Sequence, residues 1–115
     1  MDGIIIQLDP ALLSNPDLDI RYLLPDLIIA RSGGTVIDAG YDYVDSPGRA
    51  PLIQLCLEAA DPEAAAKLAV EVMRTERVVG NDLSRVPVAT KRDNQVHVVV
   101  HPTDFSDHFY APSLD

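Results

Sequence analysis

Two runs of alternating apolar and polar residues, 35–44 and 51–58, stand on either side of Pro47-Gly48. Period-two alternation on both sides of a turn dipeptide commits this stretch to a β-hairpin, with one apolar face and one polar face. The connecting loop is expected over residues 45–50. In the first strand Ile37, Ala39, Tyr41 and Tyr43 share a face, and Val36, Asp38, Gly40, Asp42 and Val44 share the other. In the second, Ile53, Leu55 and Leu57 alternate with Leu52, Gln54, Cys56 and Glu58. Keeping the apolar sets together pairs Asp42 with Gln54, Gly40 with Cys56, and Asp38 with Glu58, because a one-residue slip exchanges the faces.

The other elements follow from local signals. Ile4-Ile5-Ile6-Gln7-Leu8, closed by Asp9-Pro10, reads as a strand. Asn15-Pro16-Asp17 reads as a helix start: Asn15 can cap, Pro16 sits where no N–H is needed, and Asp17 and Asp19 face the positive end of the dipole. Ile20, Leu23, Leu24, Leu27 and Ile28 form its apolar stripe, and Gly33-Gly34 stops it. Pro25 cannot bond back to Arg21 and is expected to kink or split this helix.

Asp61-Pro62-Glu63 opens a second helix, with Asp61 as N-cap and Ala65, Leu68, Ala69, Val72 and Met73 as its buried stripe. Glu63 and Lys67 are expected to pair on its wet side. Residues 86–91 and 95–100 are β-prone and separated by Arg92-Asp93-Asn94. They read as a final hairpin or a loop into one last strand, with Val96, Val98 and Val100 inward and His97, Val99 and His101 outward.

The order is β-α-β-β-α-β, with room for an extra C-terminal hairpin strand. That is the order of a ferredoxin-like α+β domain, an antiparallel sheet with two helices on one face. Residues 1–101 are expected to form this single domain and 102–115 a tail. The tail holds Phe105, Phe109 and Tyr110, half of the six aromatic residues, and is expected to dock.

Charge narrows the function. Eighteen acidic residues against nine basic give a net charge of −9. Such a field repels nucleic-acid phosphates and speeds association with a basic protein. The single cysteine excludes an internal disulfide framework. The first residues resemble no signal peptide, and the apolar run 23–30 is short and broken by Pro25 and Asp26. A cytoplasmic protein without membrane contact is therefore expected.

The uncovered sheet face is expected to hold Gln7, Asp38, Asp42, Gln54, Cys56, Glu58, His97 and His101. Asp38 opposite Glu58 is a like-charge pair that costs stability unless solvent or a cation relieves it. An ordinary solvated face and an acidic recognition patch are both compatible with this set. A metal site is not expected, since His97 and His101 on one strand lie ~13 Å apart at ~3.3 Å per residue. Cys56 reads as a small core residue rather than a nucleophile. No nucleotide-binding or hydrolase motif occurs, so neither catalysis nor a cofactor is expected.

Small size, acidity and the lack of a catalytic motif give a chain that resembles bacterial immunity proteins. The resemblance implies a non-enzymatic module that binds a basic cognate toxin and occludes its active site. Asp38, Asp42, Asp45, Glu58 and Gln54 would then make the contacts, with Tyr41 or Tyr43 as anchors. Two other classes stay open. One is a homodimeric structural or regulatory domain that associates through an uncovered face or edge, so monomer and homodimer are both admitted. The other is a small ligand-binding domain or enzyme with a pocket between sheet and tail, using His97, His101 or His108 as acid–base groups.

Overall fold

The run Ile4-Ile5-Ile6 offers apolar side chains to both faces of a strand, which suits only a strand covered on both sides. In the structure, a computed structural model describing residues 2–46, 48–106 and 109, these residues lie in the central strand β1 (Gly3–Leu8), buried throughout. The chain continues through α1 (Ile20–Ser32), β2 (Val36–Ser46), β3 (Arg49–Ala59), α2 (Pro62–Thr75), β4 (Val88–Lys91) and β5 (Val98–His101). The strands form one sheet in the order β2-β3-β1-β4-β5, antiparallel at every step. The class is α+β, as expected. With β5 paired along the outer side of β4, the five-stranded order is not that of the expected four-stranded ferredoxin-like sheet.

Register fixes the two faces. Ile4, Ile6 and Leu8 sit opposite Leu57, Leu55 and Ile53, and pack with Ile20, Leu24 and Ile28 of α1 and Ala65, Ala69, Val72 and Met73 of α2. Both helices therefore cover the same side. Gly3 permits the close approach of β1 to β3, because a Cβ there would lie 1.9 Å from the Leu57 carbonyl oxygen.

The helix starts show how local signals compete. Asp61 caps α2 as expected, accepting from the Ala64 N–H at 3.1 Å. Asn15 does not cap α1. Its N–H donates to Asn81 Oδ1 at 2.8 Å and its carbonyl accepts from Asn81 Nδ2 at 2.7 Å, tying the loop to a fully buried residue 66 positions on. The helix begins instead at Ile20, after an Asx turn at Asp17. It runs unbroken through Pro25, which is buried, so the helix is not split. The expected Glu63–Lys67 pair is replaced by a Glu63–Arg92 ion pair, which ties α2 to the loop after β4.

Two further corrections concern the sheet. Asp42 faces Gln54 as expected, but Asp38 faces Leu57 and Ile37 faces Glu58. Ala39 and Gly40 together stand opposite Cys56, a β-bulge in which Gly40 adopts φ +93°. The like-charge Asp38–Glu58 pair therefore never forms. The face expected to be open is also covered at its centre. Ile5, Cys56, Ala89 and Phe109 form a second buried cluster, with Val99 and Phe105 against it. Tail residues 107, 108 and 110–115, His108 and Tyr110 among them, lie outside the described ones.

Candidate functional site

α1 turns Ile20, Leu24 and Ile28 into the core, which leaves Arg21 and Tyr22 on its flank. β2 is the outermost strand on that side. After the bulge, Tyr41 and Tyr43 sit opposite Leu55 and Ile53, hence on the helix-covered face but at its margin. The flank of α1 and the edge of the sheet thus bring four side chains together.

The Arg21 guanidinium donates to the Tyr43 hydroxyl at 2.6 Å and lies 4.8 Å from the Tyr22 ring centroid and 5.2 Å from that of Tyr41. Tyr22 and Tyr41 meet edge to face at 5.9 Å, as do Tyr41 and Tyr43. The Tyr22 and Tyr41 hydroxyls are 3.4 Å apart. Their hydrogen bond pushes the Tyr41 phenol above its ordinary pKa, against the opposing pull of Arg21. Each contact limits the rotamers of its neighbours, so the cluster is ordered before anything binds. Even so the three rings remain 39–48% exposed.

Carboxylates stand on or beside the same two elements, Asp42 on the face of β2 opposite the tyrosines. Asp38 sits on the bulge and accepts from the Gly40 N–H at 2.7 Å. Asp42 is half-buried and Asp45 exposed, both on β2, while Asp19 and Asp26 are exposed on the α1 side. Among the described residues none of these five carboxylates makes an ion pair. Arg31, Arg74, Arg85 and Arg92, by contrast, are engaged elsewhere with Glu76, Glu71, Asp104, and Asp2 and Glu63.

The other expected site residues divide. Gln54 is fully buried and donates to Gln7 Oε1 at 3.1 Å, so it presents nothing to a partner. Glu58 is exposed, on the opposite face from the tyrosines. Cys56 lies under Phe109, and burial, reinforced by Asp42 and Asp38, pushes its thiol pKa up. The two described histidines are separated: His97 packs on Phe109 at 5.0 Å, and His101 Nε2 meets the Ser84 carbonyl at 2.7 Å. The recess between sheet and tail, about 350 Å³, is lined by neither of them. Its Arg85 is bound to Asp104 at 2.8 Å.

Sequence alternation pointed to Tyr41 and Tyr43 but missed Tyr22 and Arg21. The available signal was their place between the buried positions Ile20 and Leu24, which puts them on the outer side of a helix. Among the described residues no helix is long and apolar enough to cross a membrane. No protein-family model matches the chain, and no curated protein or solved structure matches it either.

Proposed function

We propose that this protein is a non-enzymatic binding module that uses the β2 edge and the flank of α1 to hold a basic protein. The observation that carries this reading is the Tyr22–Tyr41–Tyr43–Arg21 cluster, preordered and half-exposed, on elements whose carboxylates make no ion pair among the described residues. Tyrosine and arginine supply most of the binding energy in many interfaces, and a preordered cluster loses less side-chain entropy on binding. The net charge of −9 steers a cation toward it. Occlusion of a cognate toxin in the cytoplasm, as by an immunity protein, is the form of this activity that we favour. The order β2-β3-β1-β4, taken without β5, supports reading the domain as a ferredoxin-like one extended by a strand.

The test is a pull-down from native lysate with the wild type and an Asp42→Lys/Asp45→Lys variant side by side. A basic protein held by the wild type, released by salt and absent from the variant is the expected result. The variant's melting temperature should stay close to that of the wild type, since neither Asp42 nor Asp45 is in an ion pair among the described residues. Recovery of the bait alone, or equal retention by both proteins, sinks the reading.

A further inference from the structure

The sheet has two edges of opposite character. β2 carries Asp38, Asp42, Asp45 and a bulge, so a copy paired against it would bring carboxylates together. β5 shares the irregularity, a bulge at Val100 where Val88 and Ala89 of β4 pair with His101 and Val99, but it carries no carboxylate. Residues 95–101 contain no charged residue and no proline, and four of the seven are valines. Val96, Val98 and Val100 are 81%, 59% and 38% exposed, contrary to their expected inward placement. The cause is that α2 ends its cover short of β5. A groove of about 540 Å³ separates the two, with Val100 and His101 on its β5 side and Glu63, Lys67, Glu71 and Arg74 on its α2 side. These two acids and two bases cancel. In a chain of net charge −9, this is a stretch of surface that an equally acidic body can approach without a local like-charge field.

We propose that the occupant is a second copy of this chain, paired β5 to β5, antiparallel about a twofold axis. The two five-stranded sheets become one of ten strands. Twofold pairing is self-complementary, so the exposed valines of each strand meet those of the other, and the outward N–H and C=O groups of both edges are satisfied. A basic partner is not the occupant, because the groove offers it no net attraction. The dimer leaves the two β2 edges at the far ends of the joined sheet, free and equivalent. The inference does not rest on the proposed partner, since the dimer is measured without one.

Sedimentation of the full chain over a concentration series tests it. The wild type should reach twice the chain mass. Val98→Lys should halve that mass while its circular dichroism is unchanged, because a lysine on an edge strand opposes its copy across the axis. The Asp42→Lys/Asp45→Lys variant should remain dimeric. A wild type that stays monomeric at every concentration overturns the proposal, as does a dimer that survives Val98→Lys or is lost in the aspartate variant. Should Val98→Lys fail to fold, amide exchange of the wild type decides. Protection of the outward amides of residues 96–100 must rise with protein concentration, and exchange independent of concentration refutes the pairing.

Discussion

At the scale of single residues, Arg21 holds an unusual position: a cation at the centre of the surface proposed to attract cations. Its role is therefore mechanical rather than electrostatic. It fixes the Tyr43 hydroxyl and packs against two other rings, so the tyrosines present one shape instead of several. Arg21→Met separates the two roles, because it keeps the apolar stem, removes the fork and makes the protein more acidic. If charge alone governed binding, affinity for a basic partner would rise. Loss of preorganisation predicts the reverse, a cost of about 1–2 kcal/mol, or roughly tenfold weaker binding. The loss should appear in the dissociation rate, which surface plasmon resonance resolves from the association rate. Folding stability should change little, because the cluster is half-exposed and the bonds it loses are largely replaced by water.

At the scale of elements, the bulge in β2 decides which side chains join the cluster. Two residues opposite Cys56 let the strand change face, carrying Ile37 to the side of Glu58 while Tyr41 and Tyr43 keep the side of Leu55 and Ile53. Gly40 makes this feasible, since φ +93° strains any residue with a Cβ. Gly40→Ala is expected to cost about 1–3 kcal/mol, read as a lower urea midpoint at unchanged slope. An unchanged midpoint would mean that the bulge carries no strain. Alternation made both strands of this hairpin legible, and Asp61-Pro62 made the start of α2 legible. The bulge was not, because a glycine in an alternating run suits either face. The start of α1 was hidden by a contact 66 residues away, which drew Asn15 from capping to Asn81. Ile4-Ile5-Ile6 did carry the signal that both sheet faces are covered, and the expectation of an open face overlooked it. For β5 the pattern told which valines share a side, but not that α2 would stop short of them.

At the scale of the molecule, the net charge of −9 acts on two associations with opposite sign. Two copies of the chain repel one another, and pairing through β5 proceeds against that repulsion by burying apolar edge and backbone groups. A basic partner is attracted by the same field. Salt weakens both effects, as the screening length falls from about 10 Å at 0.1 M to about 3 Å at 1 M. Across one salt series the dimer should therefore tighten while the partner complex loosens. Sedimentation equilibrium on the free protein and a titration with the partner give the two slopes independently. A dimer that loosens with salt would place ion pairs at its centre, and an uncharged β5 supplies none, so that slope would move the contact away from β5. A partner complex that tightens with salt would mean that the tyrosines act without the carboxylates, and the binding surface would then have to be redrawn around its apolar area alone.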